Sequence, residues 1–212
     1  NLYSLSRRSA QQLKVLCVLL VMISVFKFSL HLREIIKFID DIDYYIFNTD
    51  DMSVRKEIIK NYKLNTNTKI KLLNQESLFT NLLDTNMCLN FKDSNHNNIL
   101  IMILIKKYKL ENIKLLIEKN IVDINFTNLN GRNALYFAYY DINVFKYLID
   151  KGCNYDILDN NLESLLYDAV KKEIGYYFIE YLIKDCKLDA NHKDIFGQSI
   201  IFNTTNYQIL KI

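Results

Sequence analysis

The 212 residues contain no proline and no tryptophan, only four glycines and only three histidines. Each shortage closes a route. Four glycines, all in or near expected inter-helix turns, cannot build a glycine-rich phosphate loop. His31, His96 and His192 lie far apart in sequence. His96 and His192 fall in loops, where a solvated imidazole is the default. No G-x-S-x-G, H-E-x-x-H or kinase-like set accompanies them, so no enzyme is expected. The four cysteines, Cys17, Cys88, Cys153 and Cys186, form no C-x-x-C pair. That argues against a disulfide framework and for reduced, mostly buried thiols. A formal charge of +3 is too small for a nucleic-acid footprint. The acidic pairs Asp40-Asp41 and Asp50-Asp51 lack a glycine-bearing loop and read as a solvated face or a helix cap. No metal or cofactor is expected.

What the chain has is apolar periodicity. Half of the residues are apolar, enough for a continuous core without disulfides or metals. The heavy use of Asn, Ile, Lys and Tyr fits an AT-rich genome. The asparagines are scattered among apolar periods rather than gathered in polar tracts. The fifteen tyrosines mostly stand at helical spacing beside apolar residues, which predicts packing rather than base stacking.

The stretch Asn128 to Asp159 sets the plan. Asn128 to Gly131 carries turn signals, and Gly131 takes a positive φ without steric cost. Asn133 is a helix N-cap, followed by Ala134, Leu135 and Ala138 at helical spacing. After a break at Tyr140-Asp141, Val144, Phe145, Leu148 and Ile149 repeat the period. Gly152 ends this second helix. Two such short helices cannot bury their apolar sides alone and need neighbours.

The neighbours are present. The cap recurs as Asn98, Asn133, Ser164 and Ser199, and the core leucine as Leu100, Leu135, Leu166 and Ile201. The paired slot of the second helix recurs as Leu116-Ile117, Leu148-Ile149 and Leu182-Ile183. The residue opening the loop recurs as Asp93, Asn128, Asp159 and Asp194, spaced 35, 31 and 35 residues apart. His96 and Leu162 stand in the glycine slot of their loops.

In these residues the chain resembles the ankyrin repeat family, whose period is about 33. Ala134, Leu135, Tyr136 and Ala138 stand where that family usually has Pro, Leu, His and Ala. Gly152-Cys153 matches its Gly-Ala. Two departures follow from the resemblance. The proline slot holds Ile99, Ala134, Leu165 and Ile200, which gives up a pre-set φ at the first helical position. The histidine slot holds Ile101, Tyr136, Tyr167 and Phe202, which is expected to replace a polar link between repeats with aromatic packing.

The expected architecture is an all-α ankyrin-repeat solenoid of stacked helix-turn-helix units with an extra N-terminal helical segment. Residues 1–32 form an apolar N-terminal segment. Val15 to Phe26 is apolar except at Ser24, and the apolar stretch reaches Leu32 if Lys27 snorkels. This reads as a signal anchor or membrane helix on the one hand, and as a helix packed on the array or stray sequence on the other. Residues 33–66 read as a helical extension. One helix carries Ile35, Ile36, Phe38 and Ile39; the other is capped by Asp50 or Asp51 and runs through Val54, Ile58 and Ile59. Residues 67–212 form the array. It has a degenerate cap (67–92), three regular repeats (93–127, 128–158 and 159–193) and a partial one (194–212). The last holds a first helix at about Ser199 to Leu210 with no second helix to cover it.

The resemblance implies a non-catalytic module that binds another protein through loop tips and the concave face of the first helices. Mapped onto this chain, the face comprises Leu129, Asn130, Asn160 and Asn161 on the loops. Arg132 and Glu163 stand beside the caps, and Tyr140, Asp141, Lys171 and Lys172 on the first helices. Ile195 and Phe196 extend the loop row. Tyr and Arg are enriched at binding hot spots, which ranks Tyr140 and Arg132 first. The protein is expected to be a cytoplasmic monomer, or a cytosolic array anchored by residues 15–32.

Overall fold

A computed structural model describes residues 46–48, 52–61, 64–76, 79, 83 and 89–204. Contacts divide the chain into two compact units, residues 1–58 and 59–212. In the first, residues 46–48 are helical and Ile46 is buried. Helix α1 (Met52–Asn61) begins there and ends in the second unit. It runs through Val54, Ile58 and Ile59, burying the two isoleucines and leaving Val54 exposed. Residues 15–32, the helix expected at Ile35 to Ile39, Asp40-Asp41, Asp50-Asp51, Cys17 and Cys88 lie outside the described residues.

The second unit begins its repeats with α2 (Thr66–Leu72), capped by Asn65, whose side chain accepts from the Thr68 amide. Leu72 and Leu73 are buried, as are Phe79 and Leu83 beyond them. Three regular repeats follow. The first pairs α3 (Ile99–Ile105) with α4 (Leu110–Glu118). The second pairs a 3₁₀ helix (Ala134–Phe137) with α5 (Ile142–Asp150). The third pairs α6 (Leu165–Lys171) with α7 (Tyr176–Lys184). A 3₁₀ helix (Ile200–Asn203) follows them. First helices stack on first helices, and α4 packs on α5. Among the described residues there is no strand, only two isolated bridges, Leu158 with Ser164 and Lys193 with Ser199. The all-α stacked arrangement is the one the repeat pattern implies.

The caps work as their residue types dictate. Asn98 accepts from the Ile101 amide, Asn133 from Leu135 and Ser164 from Tyr167. Ser199 makes no such bond. The core slots Leu100, Leu135 and Leu166 are fully buried, as are Leu116, Leu148 and Leu182. Each is worth about 1.5–3 kcal/mol of apolar transfer. The sequence of α3 is apolar on every side and buried from Ile99 to Leu104, as a helix enclosed by neighbours must be. Between the outer helices, Phe145 meets Phe178 edge-on at 4.8 Å, with Tyr139 stacked 5.9 Å away. Gly152 follows the α5 C-cap with φ +88°, and the Cys153 amide donates back to Leu148 O. That is the expected glycine stop. Cys153 and Cys186 are free and buried, and burial pushes the Cys153 thiol up to about 12.

Three expectations need correction. The first helix of repeat 128–158 is one 3₁₀ turn, not an α-helix. From cap to cap the neighbours run Asn98 to Lys109 and Ser164 to Gly175, whereas this repeat runs only Asn133 to Asp141. Most of the shortfall in its 31-residue spacing comes out of this helix, and the cap closes on the second amide instead of the third. Second, Asp141 is not on a first helix: it caps α5, accepting from the Asn143 amide at 2.8 Å. Third, the histidine slot keeps a polar link. The Tyr136 hydroxyl donates to Glu163 O at 2.7 Å, and Tyr167 donates to Asp194 Oδ2 at 2.8 Å. A phenol is long enough to span the gap and still pack its ring. At the far end, the described part of the helix expected at Ser199 to Leu210 is 3₁₀, and residues 205–212 lie outside the described residues.

Candidate functional site

Four loops form one edge of the array, and the same side-chain device builds each. Asp93, Asn128, Asp159 and Asp194 each use Oδ1 to accept from the amides two and four residues on. The third residue after each is forced left-handed: His96, Gly131, Leu162 and Gly197 have φ between 59° and 75°. Backbone bonds then tie loop to loop. The Leu129 amide donates to Asn95 O, Asn160 to Asn130 O, and Ile195 to Asn161 O. With polar groups satisfied inward, apolar side chains are left at the tips. Leu129 is 62% exposed, Phe196 82%, and Leu162 and Ile195 about half.

Behind the loops lies an ion cluster. The Arg132 Nε and Nη2 donate to Asp159 Oδ2 at 2.9 and 2.8 Å, and Nη2 also lies 3.3 Å from Glu163 and 3.2 Å from Asp168. Lys171 holds Glu163 at 2.6 Å and Lys172 holds Asp168 at 2.6 Å. Three cations thus meet three carboxylates. Although burial opposes it, the Arg132 pKa is raised by Asp168, Asp159 and Glu163. The guanidinium also covers the Tyr136 ring at 5.4 Å.

The edge opposite in sequence, where first helix turns to second, is less regular. Tyr108 donates to Leu73 O at 2.7 Å, and Tyr140, one repeat on, donates to Tyr108 O at 2.8 Å. Burial first, then Asp141 and Glu76, push the Tyr140 phenol up to about 12, so it stays a donor. Ile174 occupies this slot in the next repeat. Where the short 3₁₀ helix falls behind its neighbours, Ile105, Lys107, Phe137, Tyr139, Tyr140 and Ile174 line a cavity of about 490 Å³.

The residues expected at a binding face therefore divide. Leu129, Asn130, Asn160 and Asn161 stand exposed on the loops. Asn160 also donates to Leu129 O, and its side chain fills the space beside Gly131. Glu163, expected to be solvent-facing, is only 3% exposed. It and Arg132 are turned inward because the residue before each cap pairs with neighbouring polar groups, as Asn97 does with Asn128. Lys171 and Lys172 are half-exposed and ion-paired. Tyr140 belongs to the cavity, and Asp141 is a cap. Sequence reasoning passed over Ile105, Phe137, Leu162 and Ile174. The signals were the 31-residue spacing and an isoleucine standing where two repeats have tyrosine. Among the described residues no group of three or more His, Cys, Asp and Glu is placed to hold a metal ion, and no helix is long and apolar enough to cross a membrane.

A family model described as "Ankyrin repeats (3 copies)" matches residues 68–159 and again 101–194, together more than half of the chain. No curated protein matches the sequence.

Proposed function

Because the chain belongs to the ankyrin repeat family, we propose that it is a non-catalytic interaction module that binds a protein partner through its loop tips and inner face. One observation carries this. Leu129, Leu162, Ile195 and Phe196 form a row of exposed apolar tips on loops whose backbones are locked to one another. Rigid, exposed apolar groups lose little conformational freedom on binding. Asn130, Asn160 and Asn161 supply polar groups at the rim.

The test compares full-length chain with a Leu129→Ser, Phe196→Ser variant as baits in extract of the native cells. A protein retained by the parent and lost by the variant, at unchanged circular dichroism, supports the reading. Equal retention by both removes the loop tips from it. Arg132→Ala is unsuited to this purpose, since it strips a cation from three buried carboxylates. A tethered form is the second reading, favoured by the apolar run at residues 15–32. Release of the full chain by alkaline carbonate would overturn it. The untethered array would be a cytoplasmic monomer.

A further inference from the structure

The loop edge repeats one backbone around three asparagines, and only one of them is followed by glycine. Asn95, Asn130 and Asn161 each stand just before the left-handed residue of their loop, and all three are exposed. The residues after them are His96, Gly131 and Leu162, with φ of 60°, 75° and 59°. Asn130-Gly131 is also the only Asn-Gly pair in the chain. We propose that Asn130 is a site of spontaneous covalent modification: it deamidates through a cyclic imide closed on the Gly131 nitrogen, and the rearranged product unties the loop. The reaction requires no partner and stands apart from the interaction-module reading.

Asparagine is a thermally labile side chain, and the step balances with water alone. The Gly131 nitrogen attacks Asn130 Cγ, and the new N–C bond closes a succinimide ring. The Cγ–Nδ2 bond breaks, and ammonia leaves with the proton that the Gly131 nitrogen gives up through solvent. Water then opens the ring. Attack at Cγ leaves aspartate, and attack at the original main-chain carbonyl leaves isoaspartate. A side chain on the following residue obstructs the approach of nitrogen to Cγ, and glycine has none.

The fold holds the other terms nearly constant. Each loop closes with a bond from the amide of its left-handed residue: His96 to Asp93 O, Gly131 to Asn128 O and Leu162 to Asp159 O, at 3.0, 3.0 and 2.9 Å. Ring closure must break that bond, so the reaction passes through a local opening that all three loops share. The side-chain amides of Asn95, Asn130 and Asn161 make no hydrogen bond among the described residues, so none is held away from the nitrogen beside it. What remains different is the obstruction.

The two products have different consequences. Isoaspartate lengthens the main chain by one carbon between Asn130 Cα and Gly131. The carbonyl that accepts from the Asn160 amide at 2.9 Å becomes a carboxylate outside the chain. The turn that presents Leu129 gains an atom and loses its closure on Asn128. Aspartate keeps the backbone and adds only a charge.

The experiment incubates the full chain at neutral pH in water enriched in heavy oxygen, digests it at acid pH and maps the peptides by mass spectrometry. Labelling by an isoaspartyl methyltransferase identifies the rearranged product. The expected result is conversion at Asn130 at least about fivefold faster than at Asn95 or Asn161, with isoaspartate among the products. Leu162→Gly removes the obstruction in the next loop and relieves its left-handed backbone. It should bring Asn161 up to the rate of Asn130. The converted fraction, isolated by ion exchange, should melt below the Asn130→Asp variant, which carries the charge on an intact backbone. Conversion at Asn130 no faster than at the other two would overturn the proposal, as would an Asn161 that stays slow in Leu162→Gly. So would a folded chain left unchanged over the time in which the chain in urea converts fully. Equal melting of the converted fraction and Asn130→Asp would overturn the untying of the loop.

Discussion

Repeats 128–158 and 159–193 build the same loop from different residues and then part company. The first places Gly131 at the left-handed position, the second Leu162, yet φ differs by only 16° between them. The opening carboxylate or amide, with its two backbone bonds, fixes the loop whatever sits third. On the other edge no one side-chain device recurs from repeat to repeat, and length decides the outcome. Here α6 runs to Lys171, whereas its counterpart stops at Phe137. Local hydrogen bonding makes one edge uniform. The other edge follows the number of residues available.

The comparison can be broken first at the core. Leu135→Ala should cost about 2–5 kcal/mol, as should Leu100→Ala under a full α-helix. Denaturant midpoints that left Leu135→Ala at the parent's value would show that the short repeat does not share the core. Asp159→Ala comes next, at about 2–3 kcal/mol, because it removes a buried acceptor of two amides and a partner of Arg132. A loss confined to a few tenths would mean that the loop closes without its opening residue. Gly131→Ala should cost about 1–3 kcal/mol. Its new Cβ would lie 2.5 Å from Asn160 Oδ1 and 3.0 Å from the Asn160 amide, and the backbone is left-handed. The smallest effect has the opposite sign: Leu162→Gly should stabilise by about 1 kcal/mol, read as a raised melting temperature. Destabilisation there would show that the Leu162 side chain holds the loop.

Most of the fold was legible in the sequence because its determinants are local. Caps, core leucines and loop-opening residues each work within a few positions, and Asn98, Leu100 and Asp93 sit where their types demand. The 3₁₀ turn was not legible as such. The 31-residue spacing announces a deletion without saying which element gives it up. The binding face was read less well than the scaffold. Arg132 looks like a surface residue until Asp159, Glu163 and Asp168 reach it from the next repeat, and Glu163 does so until Arg132 reaches it from the one before. No local pattern reports a pairing across 27 or more residues. The tyrosines in the histidine slot show the same limit, since an aromatic in that slot says nothing of where its hydroxyl ends.

The loop-to-loop amides and the Tyr108 and Tyr140 bonds each join a repeat only to the one before it. A pull along the stack is therefore carried through the seams in series, and the weakest gives way first. Under mechanical load the array should yield in successive small steps, like a stack of clasped plates. The seam holding Arg132 to its three carboxylates is the one expected to open last.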